Sequence, residues 1–267
     1  AEKISEYLAK PLGRLKVNRF SDGETQVEIH ENVRRKEIYV VQSTCYPVND
    51  NLVELLLLID AFRRSSASRI TAVMPYFGYS RQDKKVAPRV PISAKLVANL
   101  LDVAGVDRVI TMDLHAEQIQ GFFEVPVDHL YANTLFVPHL QKMNINNLCI
   151  ATPDTGGTKR ANSYSKFLGV DMAICYKQRK VANQVDSMTV IGDVSGKDVV
   201  LVDDICDTAG TLTKAASLMM DNGAKSVRAL CTHAVLSGPA YQRIEESVLT
   251  ELIVTDTIPI DKTKTNG

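Results

Sequence analysis

The stretch Val199-Val-Leu-Val-Asp-Asp-Ile-Cys-Asp-Thr-Ala-Gly-Thr211 decides how this chain is read. Val199 to Val202 are apolar without alternation, the pattern of a strand buried on both faces of a parallel sheet. Asp203 and Asp204 follow at once, where open α/β sheets place their ligands, beyond the carboxyl ends of strands. A turn of small residues comes next, Asp207, Thr208, Ala209, Gly210 and Thr211, and it opens onto a helical pattern. Backbone N–H groups and the helix dipole favour an anion at such an entrance. The two carboxylates repel that anion but accept hydrogen bonds from vicinal hydroxyls. Together they describe a site for a ribose phosphate. The plainer alternative is an ordinary strand end at which Asp207 or Thr208 caps a helix.

Outward from this stretch the same grammar repeats. Short apolar runs at Ile38 to Gln42, Ile70 to Met74, Arg108 to Met112, Asn147 to Thr152, Asp171 to Cys175, Ser226 to Thr232 and Leu252 to Thr255 read as buried strands. Amphipathic helices are expected at Asn51 to Arg63, Ile92 to Val103, Thr158 to Phe167 and Thr211 to Asn222. Gly105, Gly169 and Gly223 follow three of them as C-terminal stops. The expected fold is α/β, two consecutive domains with mostly parallel sheets flanked by helices. The boundary is placed near Tyr131 to Pro138, giving domains 1–134 and 135–267. Asp83 to Arg89, Arg179 to Met188 and the tail from Asp261 read as loops.

Composition narrows the function classes. Lys plus Arg and Asp plus Glu both number 31, so no net field draws the chain to nucleic acid or an anionic membrane. Any anion site must therefore be local. The five cysteines form no C-x-x-C pair, which points to reduced thiols and a cytoplasmic protein. No apolar run approaches the ~18 residues of a membrane span.

Other segments carry chemistry that is ambiguous alone. In Phe20-Ser-Asp-Gly-Glu24, Phe20 offers a face for a purine, while Asp22 and Glu24 around Gly23 accept hydrogen bonds; the same composition also makes a surface turn. Arg81, Gln82 and Asp83 follow an aromatic, glycine-containing turn after a strand, where Arg suits a phosphate or a base; a solvated charge run reads the same way. His115 and Asp154 each come just after a strand and would reach a crevice at strand carboxyl ends. They make a sparse divalent site suited to Mg²⁺, which keeps waters and takes substrate phosphates as ligands. Lys177 and Arg179 leave a strand at the mouth of a polar segment, on one side of the extended chain; a basic rim is the bland reading. His30, His129 and His139 read as surface or packing residues, and His233 as support behind the sugar site.

Taken together, Phe20 to Glu24, Tyr76 to Asp83, Thr111-Met-Asp-Leu-His115, Thr152-Pro-Asp-Thr-Gly-Gly157, Val199 to Thr211 and Thr232-His-Ala-Val-Leu-Ser-Gly238 resemble the signature segments of ribose-phosphate pyrophosphokinases of the class I type. The phosphate loop is similar to that of type I phosphoribosyltransferases, but ordinary transferases lack the first-half segments. The resemblance runs over essentially the whole chain and implies a type I phosphoribosyltransferase-like fold. It implies ATP contacts at Phe20, Asp22, Gly23, Glu24, Arg81, Gln82, Asp83 and His115, and Mg²⁺ on His115 and Asp154. Ribose 5-phosphate would meet Asp203 and Asp204, directly or through a second metal, with Arg179 and the turn from Asp207 to Thr211 at its phosphate. A matching Lys-x-Arg lies on a catalytic loop in the family, which puts Lys177 and Arg179 in the catalytic role. A homohexamer is implied too, with Tyr131, Phe122 and Phe123 near the junction as contact residues unless they pack in the core. Compared with the family pattern, the sequence starts at a helix and stops before a final strand and helix, as a piece of a longer chain would. Two rival readings are a phosphoribosyltransferase and a non-catalytic regulatory homologue.

Overall fold

The computed structural model describes residues 1–178 and 187–265. It divides into two compact units, Ala1–Leu130 and Tyr131–Gly267. The first runs α1 (Glu2–Leu8), β1 (Leu15–Arg19), β2 (Thr25–Ile29), β3 (Glu37–Val41), α2 (Val48–Arg64), β4 (Arg69–Met74), α3 (Ser93–Ala104), β5 (Arg108–Met112) and β6 (Val127–Leu130). β1 and β2 pair as an antiparallel hairpin, and β3, β4, β5 and β6 lie side by side in that order, all parallel. Helix α2 forms because Leu52, Leu55, Leu58, Ile59 and Phe62 make one buried stripe at helical spacing. Helix α3 buries Ala94, Val97, Ala98 and Leu101 and stops at Gly105, whose φ of 105° suits glycine. Phe77 meets Phe123 edge to face at 5.6 Å inside this core. Phe123 is buried and Phe122 packs against the same cluster, so neither is the exposed contact residue expected at the junction.

The second unit runs α4 (Asn133–Met143), β7 (Leu148–Thr152), α5 (Thr158–Leu168), β8 (Asp171–Gln178), β9 (Ser187–Ile191), β10 (Asp198–Cys206), α6 (Gly210–Asp221), β11 (Ser226–Ala234), α7 (Ala240–Glu245) and β12 (Leu249–Val254). Its sheet has the order β12-β11-β10-β7-β8-β9, parallel except for the antiparallel β8–β9 pair. From β7 the chain crosses to β8 on one side, then returns to place β10 on the other. The strand order therefore reverses between β7 and β10, the point where open α/β sheets bind ligands. Val199, Val200 and Leu201 are fully buried, each side chain contributing about 1.5–3 kcal/mol through burial.

The units divide at Leu130–Tyr131, at the edge of the boundary expected from Tyr131 to Pro138, and most of that stretch forms the start of α4, with Pro138 inside the helix. Two expectations need correction. Strand β10 does not end before the acids but runs through them to Cys206, because Asp203, Ile205 and Cys206 all stay in register with β11. The polar stretch entered at Arg179 includes the start of β9, since Ser187 and Met188 pair with Gln178 and Lys177.

Candidate functional site

The reversal between β7 and β10 brings Asp154, Asp203 and Asp204 to one end of the second unit's sheet. Thr152 Oγ1 donates to the Asp154 carbonyl at 2.8 Å, and the Asp154 carboxylate accepts the Gly156 N–H at 2.9 Å. Only glycine fits at 157, where a Cβ would stand 2.3 Å from Thr152 Oγ1. The Asp203 carboxylate accepts the Asp204 N–H at 2.9 Å. Asp204 is buried and bonded to Arg160 of α5, Nη1 to Oδ1 at 3.0 Å. Burial, then the neighbouring Asp204 carboxylate, push Asp203 well above the usual carboxylate range; Arg160 pulls it down and Asp154 adds to the rise. Burial and the same acids push the Cys206 thiol up to about 12, so it packs as a neutral group.

Beyond β10 the chain turns through Ala209, which takes the left-handed φ of 59° and serves as the N-cap residue of α6. Among the described residues no side chain caps this helix, and its N-cap residue is Ala209, so neither Asp207 nor Thr208 is the cap of the plainer alternative. The Asp207 carboxylate accepts from Ser237 Oγ, and its carbonyl accepts the Ser237 N–H at 3.0 Å. Arg243 Nη1 donates to the Thr208 carbonyl at 3.0 Å. It would stand 3.2 Å from a Cβ at Gly210, so glycine lets the guanidinium approach. The turn from Asp207 to Thr211 is thus braced by the segment after β11. His233 is buried behind it, its Nδ1 2.9 Å from Thr257 Oγ1, and Ile205 is its register partner.

In the first unit, Phe20 to Glu24 form the exposed loop of the β1–β2 hairpin, closed by the Phe20 N–H to the Glu24 carbonyl at 2.8 Å and by Gly23 at φ 96°. Arg19 anchors it on α2 through Asp50 at 3.4 Å. Arg81, Gln82 and Asp83 follow β4. Their loop is fixed by Gly78, whose N–H donates to Thr44 Oγ1 at 2.7 Å and whose Cβ would stand 2.5 Å from the Thr44 carbonyl. Arg81 and Gln82 are exposed, and Asp83 turns inward to accept from Gln118 Nε2 at 3.2 Å. Gln118 closely follows His115, so the segments after β4 and β5 are joined. His115 is exposed at the end of β5, and the neighbouring Leu114 N–H donates to His129 Nε2 at 2.9 Å.

Lys177 has its backbone in β8, paired with Met188, while Arg179 lies outside the described residues. Among the described residues, no group of three or more His, Cys, Asp or Glu could hold a metal as a protein cage. A Mg²⁺ carried mainly by substrate phosphates needs only one or two protein oxygens, and the half-buried Asp154, with one oxygen engaged by Gly156, fits that demand.

An open sheet that reverses at β7 and β10, with acids and an uncapped helix entrance at that point, defines a type I phosphoribosyltransferase-like α/β protein. Two family models match the sequence: the N-terminal domain of ribose phosphate pyrophosphokinase over residues 1–105, and the phosphoribosyl synthetase-associated domain over residues 178–267. Proteins named ribose-phosphate pyrophosphokinase from Campylobacter jejuni and Porphyromonas gingivalis are 58% and 59% identical over 260 residues, which cover 97% of this chain and 84% and 83% of theirs. The crystal structure of phosphoribosylpyrophosphate synthetase from Mycobacterium smegmatis matches with a TM-score of 0.94 at 41% identity, covering 100% of this chain and 88% of that one. The chain belongs to the ribose-phosphate pyrophosphokinase family.

Arg160, Ser237, Arg243 and His129 were not assigned to the site from sequence. Arg160 did leave a signal: a cation in the first turn of α5 opposes the helix dipole unless acids lie nearby. Because folding raises the pKa of Asp203, its protonated form stabilises the ligand-free protein fully below the ordinary carboxylate pKa of about 4, and this contribution is lost as pH rises through the elevated folded value. Asp203→Asn is therefore expected to raise the thermal midpoint of the ligand-free protein at neutral pH, with the gain vanishing below about pH 4. Calorimetric scans across that range check it, and a gain independent of pH contradicts it.

Proposed function

We propose that this chain transfers the diphosphoryl group of ATP to the C1 hydroxyl of ribose 5-phosphate, giving 5-phosphoribosyl 1-diphosphate and AMP for nucleotide biosynthesis. The observation that carries the reading is the meeting, at one sheet reversal, of hydroxyl-accepting acids with a helix entrance that no side chain caps. The turn from Asp207 to Thr211 would hold the 5-phosphate through backbone N–H groups and the α6 dipole. Asp203 and Asp204 together would form the ribose-hydroxyl end of the site. On the ATP side, Phe20 would cover the purine while Asp22 and Glu24 accept from the base or its sugar, with Gly23 shaping their loop. Arg81 and Gln82 would contact the nucleotide, Asp83 would hold their segment, and His115 would lie beside the phosphates.

Transfer between oxygens at phosphorus needs in-line placement and neutralisation of spreading charge more than covalent help. Mg²⁺, when bound, supplies part of that neutralisation on the triphosphate. His115 and Asp154 are each proposed as a protein ligand of Mg²⁺. Lys177 and Arg179 would stabilise the charge that develops as the β-phosphorus changes partners, with Arg179 also reaching the sugar phosphate. The five cysteines are buried and form no disulfide, which supports a cytoplasmic location. Among the described residues, no helix is long and apolar enough to cross a membrane.

A homohexamer is proposed as the working state. Its support is an apolar face on the first unit's helices, where Val53 and Leu57 of α2 and Leu96, Leu100 and Val103 of α3 are exposed at helical spacing. Light scattering is expected to return several protomer masses at micromolar concentration; a monomer mass sinks the proposal.

Phosphorus NMR of the protein with MgATP and ribose 5-phosphate tests the activity. AMP and a new C1 diphosphate are expected, whereas ADP as the nucleotide product contradicts the reading. In the same assay Lys177→Ala should lose about 10²–10³ in kcat, the usual cost of removing one transition-state contact, with little change in KM. A rate within about threefold of the parent would remove Lys177 from the mechanism.

A further inference from the structure

We propose that Arg160 is a positioning residue for the sugar end of this site: by holding Asp204 against α5 it leaves Asp203 as the acid that receives the ribose hydroxyls. The inference rests on the ribose 5-phosphate reading and adds a division of labour between two acids that sequence treats as equals.

Successive residues in a strand point to opposite faces of the sheet. Asp203 and Asp204 are consecutive in β10, yet their carboxylates come close enough to repel one another, and they differ in how far they are buried. Asp204 is 5% exposed and bonded at 3.0 Å to Arg160, on the face that α5 covers. Asp203 keeps contact with solvent, and its carboxylate accepts the Asp204 N–H. The accessible acid is Asp203.

Arg160 is placed where a cation needs a reason. It lies in the first turn of α5, where the positive end of the helix dipole opposes it, and its side chain is only 20% exposed. The compensation is the acidic strand end of β10, together with Asp154 on the same entrance to α5. A planar guanidinium holds a carboxylate at fixed orientation, which the single ammonium of lysine does not reproduce. Asp204 is thereby pinned, and with it the backbone N–H that orients the Asp203 carboxylate. Arg160 acts on the substrate through two other residues, so its loss should appear as weakened sugar binding rather than as a general loss of the fold.

Calorimetric titration with ribose 5-phosphate, and separately with MgATP, tests this on Arg160→Gln, Asp204→Asn, the double variant and Asp203→Asn. Arg160→Gln is expected to weaken ribose 5-phosphate by roughly tenfold or more, as breaking a largely buried ion pair does, while MgATP changes less than about twofold. In the Asp204→Asn background the same change should cost less than it does in the parent, because the ion pair with Asp204 is already gone and the attraction to Asp203 remains. Unchanged ribose 5-phosphate affinity, equal losses for both ligands, or independent losses in the double variant would each overturn the proposal. Arg160→Lys should fall between parent and Arg160→Gln, and if the glutamine variant fails to fold, a lysine variant that binds ribose 5-phosphate like the parent overturns the proposal instead. Asp203→Asn separates the two claims. If it too binds ribose 5-phosphate like the parent, the sugar-site reading has failed and the role of Arg160 falls with it.

Discussion

Strand β10 is hydrogen-bonded along both edges, to β7 on one side and to β11 on the other. Its position cannot shift by a residue without breaking two ladders and turning a buried apolar set toward the wrong faces. Everything assigned to the sugar end of the site hangs from that register. Asp203 is set opposite Cys231, Asp204 is turned toward α5, and the chain leaves the sheet at Cys206 with the geometry that Ala209 needs to start α6. The bracing from Ser237 and Arg243 follows too, since both come from the segment after β11.

The same constraint stores unfavourable electrostatics. Two adjacent carboxylates and a third across the strand reversal are held together in a partly buried place, and the ligand-free protein responds by raising the pKa of Asp203. Groups that are costly without a ligand are the ones a ligand can use. Hydroxyl donors would relieve Asp203, and an anion would relieve the dipole at the α6 entrance. Arg160, bonded to Asp204, offsets part of the repulsion between the carboxylates. In the first unit the supports are neutral: Gly78 against Thr44, and the His129 ring accepting from the segment that presents His115.

Much of this was legible in the sequence because buried parallel strands leave a simple trace. Val199 to Val202, Ile70 to Met74 and Arg108 to Met112 read as strands from continuous apolarity alone, and the family resemblance rested on motifs at their ends. What escaped has physical reasons. β1 and β2 are half-exposed and mix polar with apolar residues, as in Thr25-Gln-Val-Glu-Ile29, so a search for buried runs passes over them. Pro138 lies inside α4, a helix that was not expected in the stretch where the boundary was placed. The acids hid the last turn of the ladder in β10. Contacts between distant residues, such as Arg160 with Asp204 or Ser237 with Asp207, depend on strand order, which no local pattern states.

The central claim is that one end of the second unit recognises a ribose phosphate through two separate handles, the hydroxyls at the acids and the phosphate at the α6 entrance. Calorimetry comparing ribose 5-phosphate with 2-deoxyribose 5-phosphate and with ribose measures both handles directly. The account predicts that deleting either the 2-hydroxyl or the phosphate weakens binding by about tenfold or more, since each removes a partner from a charged group in the site. Ribose binding as tightly as ribose 5-phosphate, or the deoxy sugar binding as tightly as the parent sugar, would contradict it.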